Sequence, residues 1–128
     1  MENKLKMVIT DLDRSLLNNE SQITEYTKNV FRKCIKNGII VVFATARPLR
    51  VTKIYYDSIL PHAVICHNGA VAYVGEKQIY QCGINKIITK ELLEKIVEIY
   101  PNANLSIESD DQIYANFDLS KIWANIVF

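Results

Sequence analysis

The sequence has little excess charge of either sign and no long apolar run. Each of these absences argues against particular classes of function. Fifteen lysines and arginines against fourteen aspartates and glutamates leave a formal net charge of +1, so nothing indicates binding to nucleic acid or to an anionic membrane surface. No stretch reaches the roughly 18 apolar residues of a transmembrane helix. The amino terminus (MENKLKMVIT) lacks the apolar segment of a secretory signal. We therefore expect a cytoplasmic protein with no membrane partner.

Cysteine is also scarce. Cys34, Cys66 and Cys82 are an odd number at unrelated spacings, which is not the pattern of a disulfide framework or of a zinc site. We expect reduced thiols. The 128 residues, 49% hydrophobic and 23% charged, are typical of one globular domain, or of one domain and part of another.

The first half of the chain alternates apolar blocks with helical patterns. Three short runs rich in Val and Ile predict strands buried on both faces, and they lie at residues 6–12, 39–44 and 63–66. Thr24 can cap a helix that Gly38 ends. Pro48 can stand in the first turn of a second helix that runs to about Ile59. This order predicts right-handed βαβ units and a Rossmann-like α/β fold with a parallel sheet.

The pattern changes after residue 70. Four short runs predict two β-hairpins, and they lie at residues 71–74, 78–81, 105–108 and 112–116. Between the hairpins, Thr89 can cap a helix that Pro101 ends. We expect a partial α/β core over residues 1–82 and a separate, partial α+β unit over residues 83–128.

Polar residues follow each of the three parallel strands, as Asp11-Leu12-Asp13, Thr45-Ala46-Arg47 and His67-Asn68-Gly69. Ligands of open parallel sheets bind at these carboxyl ends. The carboxylate of Asp11 can attack phosphorus, and Asp13 can donate and accept a proton. Mg²⁺ suits such a site because it prefers oxygen ligands and neutralises phosphoryl charge. Thr45 adds a hydroxyl near a helix N-terminus, where anions are stabilised.

Each of these residues also has a purely structural interpretation. Asp11 and Asp13 could solvate a turn, Thr45 could cap the second helix, and Arg47 could be a surface cation. Asn68-Gly69 favours a structural turn over a ligand contact. Asp110-Asp111 indicates a solvated hairpin turn rather than a second acidic site.

Three ordered motifs, ITDLDRSLL, FATARP and ICHNGA, resemble those of the haloacid-dehalogenase superfamily. The resemblance is to its Cof-like branch of sugar-phosphate phosphatases, whose motifs read hhhDhDGTLL, hhhATGRP and hhxNGA (h, apolar). It covers residues 5–80 and, more weakly, residues 81–128, which are similar to the start of that branch's inserted cap. The resemblance implies a Mg²⁺-dependent phosphatase acting on small phosphorylated metabolites.

The resemblance also implies a role for each site residue. Asp11 would be the nucleophile, forming an aspartyl-phosphate, and a metal ligand. Asp13 would be the acid/base and would give its backbone carbonyl to the metal. The phosphate-binding residues would be Leu12, through its backbone, together with Thr45, Ala46 and Arg47.

Several positions depart from the family pattern. Arg14 and Ala46 stand where the family has Gly, and Ser15 replaces Thr. The family's later lysine and its GDxxND-like acidic segment have no counterpart, because the sequence ends within the expected cap. One alternative is therefore a truncated, catalytically impaired remnant. A more remote one is a receiver-like phosphoacceptor domain, which would need Asp where Cys66 stands.

The missing later strands have a physical consequence. In the family they would lie beside the first strand, so residues 6–12 are expected to form a sheet edge with unpaired backbone groups. Such an edge can pair with another chain or be covered by the apolar residues 122–128 (IWANIVF). We therefore expect a homo-oligomer.

Overall fold

The computed structural model describes residues 5–121 and divides into two compact units, one up to Cys82 and one from Gly83. The first unit is a five-stranded sheet in the order β1-β2-β3-β4-β5. Its strands are β1 (Met7–Thr10), β2 (Ile40–Ala44), β3 (Ala63–Cys66), β4 (Val71–Val74) and β5 (Lys77–Gln81). The first three are parallel, and β4 and β5 are added antiparallel. The predicted strand–helix–strand order is confirmed.

Two helices connect the parallel strands. Helix α1 (Glu25–Lys36) begins where predicted, with the Thr27 N–H donating to the Thr24 hydroxyl at 3.2 Å. The chain leaves it through Gly38, whose φ of +76° favours glycine. Helix α2 spans Leu49–Ile59. Pro48 precedes it in an extended conformation (φ −68°, ψ 160°), so it is the N-cap and not a first-turn residue as predicted.

The first strand is shorter and more exposed than residues 6–12 predicted. Met7 and Ile9, which project from the same face, are 45% and 60% exposed. Within residues 5–121, β1 lies at the sheet edge with β2 as its one neighbouring strand. Burial on both faces is therefore wrong for β1, whereas the edge position is confirmed. Residues 122–128, expected as a cover, lie outside the described residues.

The core of the first unit forms where the irregular turn Leu12–Leu16 packs on the sheet. Leu12 is completely buried, as are Val41 and Phe43 of β2. Leu12 thus follows β1 and anchors the loop instead of extending the strand. Burying one such side chain contributes about 1.5–3 kcal/mol, so the loop is fixed by the same core that holds the sheet.

The second unit contains α3 (Lys86–Ile99) and the hairpin of β6 (Ser106–Ser109) and β7 (Gln112–Ala115). The predicted cap at Thr89 is wrong. Asn85 caps the helix by accepting the Ile87 N–H at 2.8 Å, and the Thr89 hydroxyl donates to the Asn85 carbonyl at 3.1 Å. Both turn aspartates of the hairpin have positive φ. No helix within residues 5–121 has the length and apolar character to cross a membrane.

Candidate active site

Backbone hydrogen bonds join the segments that follow β2 and β3. The Thr45 N–H donates to the Ile65 carbonyl at 2.9 Å, and the Asn68 N–H donates to the Thr45 carbonyl at 3.3 Å. The His67 N–H donates to the Arg47 carbonyl at 3.1 Å. Asn68 takes a left-handed conformation (φ 55°), which asparagine tolerates. The turn after β3 therefore supports the loop that carries Thr45 and Arg47.

The Arg47 side chain then joins this loop to the segment after β1. Its Nη2 and Nε donate to Asp13 Oδ1 and Oδ2 at 2.6 and 2.8 Å. Two parallel bonds of this kind give an ion pair both strength and a fixed orientation. The hydrogen bond from Arg47 lowers the pKa of Asp13, with further lowering by the charges of Arg47 and Arg14. Asp13 correspondingly raises the pKa of Arg47.

Asp11 lies directly beyond β1, and its side chain is exposed. One carboxylate oxygen accepts the N–H of Leu12 at 2.7 Å, which fixes the side chain against its own turn. The Asp11 carbonyl accepts the Leu16 N–H at 3.3 Å. The Leu12 N–H, expected to bind phosphate, thus donates to Asp11. It would have to exchange that bond for a phosphate oxygen.

Thr45 and Ala46 differ in burial although they are adjacent. Thr45 is 5% exposed, and its hydroxyl accepts the Arg47 N–H at 3.2 Å. A hydroxyl can accept and donate at once, so the same group can also donate to an anion. Ala46 is exposed. The Thr45 hydroxyl thus holds a turn ahead of α2 and does not cap that helix, whose N-cap is Pro48 without a side-chain hydrogen bond. The same hydroxyl can still contact phosphate.

Tyr55 of α2 completes the network, and the sequence did not indicate it. Its hydroxyl accepts from Arg47 Nη1 at 3.3 Å and donates to the Ser21 carbonyl at 3.1 Å. The guanidinium carbon lies 5.3 Å from the ring centroid, within range of a cation–π contact. The one feature of the sequence that could have indicated Tyr55 is that an apolar ring with a polar hydroxyl lies on the buried face of α2.

In a comparison with sequence models of protein families, the model of the haloacid dehalogenase-like hydrolases matches residues 8–126 of this chain. This chain belongs to that family. The resemblance drawn from the three motifs is confirmed, and the mixed, mainly parallel sheet with its helices matches the Rossmann-like core of this family.

Individual relatives agree with this assignment. A putative phosphatase of Buchnera aphidicola is 30% identical over 95% of this chain and 47% of its own length. A 5-amino-6-(5-phospho-D-ribitylamino)uracil phosphatase of Bacillus subtilis is 27% identical over 91% of this chain and 44% of its own length. The structure of the haloalkanoate dehalogenase superfamily phosphatase BT1666 from Bacteroides thetaiotaomicron superposes with a TM-score of 0.80 at 21% identity, covering 94% of this chain and 46% of that one. The chain therefore spans less than half the length of these relatives.

Arg14 is the main local departure from the haloacid-dehalogenase pattern. It takes a left-handed conformation (φ 59°, ψ 11°) inside the turn Leu12–Leu16. The family's Gly adopts this conformation freely, whereas a residue with a Cβ is strained there by about 1 kcal/mol. The turn geometry is therefore kept here at some cost in stability.

The residues of the site suit Mg²⁺ by type but are few. Hard oxygen donors are present in the Asp11 carboxylate and the Asp13 carbonyl, and Mg²⁺ commonly binds one or two carboxylates together with waters and phosphate. Within residues 5–121, no group of three or more Asp, Glu, His or Cys side chains could hold a metal. The donor set fits a magnesium ion that retains much of its water.

Proposed function

We propose that this chain carries the nucleophile-bearing part of a Mg²⁺-dependent phosphatase that acts on small phosphorylated metabolites such as sugar phosphates. The observation that carries the proposal is the Asp13–Arg47 ion pair, which holds the loop after β1 against the loop after β2. This ion pair joins the two loops that carry Asp11, the proposed nucleophile, and Thr45, the proposed hydroxyl donor. Family membership and the phosphatase relatives support the reaction class.

In the first step an Asp11 carboxylate oxygen attacks phosphorus, and the bond from phosphorus to the leaving oxygen breaks. Asp13 gives its proton to the leaving oxygen. In the second step water attacks the aspartyl-phosphate, Asp13 takes the proton of that water, and phosphate leaves. Thr45 and the backbone N–H groups of Leu12 and Ala46 orient the phosphoryl oxygens. When bound, Mg²⁺ would be held by Asp11 and the Asp13 carbonyl and would neutralise phosphoryl charge.

The Asp13–Arg47 ion pair favours one of these two roles of Asp13. Because Arg47 lowers the pKa of Asp13, the paired carboxylate is deprotonated near neutral pH and is ready to accept a proton from water. To donate in the first step, Asp13 must take up a proton from solvent as Arg47 leaves it for the incoming phosphate. That movement would also make Arg47 a phosphate-binding residue, as expected. Arg47 can therefore pair first with Asp13 and then with the bound phosphate.

Hydrolysis of an aryl phosphate tests the proposal. We expect Mg²⁺-dependent turnover of p-nitrophenyl phosphate that Asp11→Asn abolishes, because an amide cannot form the aspartyl-phosphate. Asp110→Asn, a substitution of the same kind in the hairpin turn, serves as the matched control and should leave turnover unchanged. Turnover that persists in Asp11→Asn would contradict the proposed nucleophile.

The second candidate is a catalytically impaired remnant of such a phosphatase. It is favoured by the lack of any group of three metal-ligating side chains within residues 5–121. It predicts no Asp11-dependent turnover at any Mg²⁺ concentration. The same assay therefore separates the two candidates.

The organisation of the chain supports two further proposals. We infer that residues 1–82 form a partial core and residues 83–128 an incomplete cap, which in this family would select the substrate. We also infer that the exposed edge of β1, with Met7 and Ile9, pairs with a second copy of this chain in the cytoplasm. Light scattering should show a dimer that Ile9→Lys dissociates, and a monomer at high concentration would contradict the pairing.

A further inference from the structure

Tyr55 makes contacts that the proposed reaction does not use. It lies on α2, is 8% exposed, and uses its hydroxyl for the bonds to the Ser21 carbonyl and to Arg47 Nη1. A phenolic hydroxyl has one proton to donate and lone pairs to accept, so it can make both bonds at once. This hydroxyl therefore connects α2 to the end of the loop after β1 and to the loop after β2.

The contacts of Arg47 divide between two sides of its guanidinium. Nε and Nη2 face Asp13, while Nη1 and the face of the group lie against Tyr55. A free arginine side chain loses much rotamer freedom when it is ordered. A contact that already fixes the guanidinium makes each further bond from it more favourable, because less entropy remains to be lost.

We propose that Tyr55 is a positioning residue: it holds the Arg47 guanidinium so that Nε and Nη2 point at the Asp13 carboxylate. When a phosphoryl group is bound, the same orientation would direct these nitrogens at its oxygens. The second part rests on the proposed function. The hydroxyl carries the effect, because phenylalanine would fill the same buried volume and could reach neither Ser21 nor Arg47 by a hydrogen bond. Without the hydroxyl, Arg47 can still pair with Asp13, but in more orientations.

The first test follows Arg47 itself by NMR. We expect Tyr55→Phe to accelerate solvent exchange of the Arg47 Nε–H, which is donated to Asp13 and not to Tyr55. The expected change is about fivefold, because the guanidinium loses the one Nη1 hydrogen bond that holds it in place against Asp13. Tyr56→Phe removes a hydroxyl from the next residue of α2 and serves as the matched control, with exchange unchanged. Exchange that is equal in Tyr55→Phe and the unmutated protein would overturn the proposal.

The second test measures binding of inorganic phosphate by calorimetry. We expect Tyr55→Phe to weaken phosphate binding about fivefold and to have no further effect in an Arg47→Met background. An equal loss in both backgrounds would mean that Tyr55 acts on the fold rather than through Arg47, and would overturn the proposal. A protein that binds no phosphate, yet keeps the Tyr55-dependent protection of Arg47, would refute the proposed function and support the positioning role.

One measurement needs no variant and applies even if Tyr55→Phe fails to fold. In the unmutated protein, nuclear Overhauser contacts between the Arg47 side chain and the Tyr55 ring are expected, because the guanidinium carbon is 5.3 Å from the ring centroid. Their absence would overturn the proposal.

Discussion

Replacing Asp13 with Asn and Arg47 with Met, singly and together, measures what their ion pair contributes to folding. The pair is only partly buried, with side-chain exposures of 50% for Asp13 and 24% for Arg47. Exposed pairs contribute about 0.2–1 kcal/mol because solvent screens them. Because two parallel hydrogen bonds strengthen this pair, we expect its contribution to lie at the upper end of that range, a coupling free energy of about 1 kcal/mol at pH 7.

The pH dependence has a definite sign. Arg47 lowers the pKa of Asp13 below its ordinary value of 3.8, so the unfolded state binds the proton more readily than the folded state does. The stabilisation is therefore fully present above the unfolded pKa and is lost as the pH falls through the lower, folded pKa. We expect the coupling to be constant down to roughly pH 5 and to disappear once Asp13 is protonated.

The measurement is urea unfolding of the unmutated protein, the two single variants and the double variant, at pH 7 and at an acid pH where Asp13 is protonated. The Glu25–Lys28 pair of α1, at 2.6 Å but with Glu25 72% exposed, is a control for which Glu25→Gln and Lys28→Met should couple more weakly. A coupling at pH 7 that is no larger than this control, or one that grows on acidification, would refute the reasoning.

Three further substitutions test local features. Arg14→Gly should raise the free energy of unfolding by about 0.5–1 kcal/mol in urea because it removes left-handed strain, while Arg14→Ala should bring no gain. Asn85→Ala should cost about 1 kcal/mol because it removes the cap of α3; an equal cost for Thr89→Ala would contradict the assignment of the cap. Phe43→Ala should cost about 3–5 kcal/mol because Phe43 is completely buried; calorimetry showing a small shift in Tm would contradict its place in the core.

Much of the fold follows from short-range signals. The cap at Thr24, the left-handed exit at Gly38 and the strand Ala63–Cys66 depend on neighbours a few residues away, so local preferences were enough to predict them. The same was not true of α3. Asn85 and Thr89 are both good caps, so residue type alone does not decide between them. The apolar spacing of Leu92 and Ile96 extends back to Ile88, and the helix begins one turn earlier than predicted.

The sequence by itself determined the family and which residues stand at the ends of the parallel strands, because motif order and apolar blocks are properties of the chain. Only the tertiary structure decided how those residues are engaged. Arg47 meets Asp13 across 34 positions of sequence, and Tyr55 reaches Ser21 over the same separation. No local preference encodes such pairs, since they depend on how α2 packs against the sheet and on where the buried Leu12 fixes the loop.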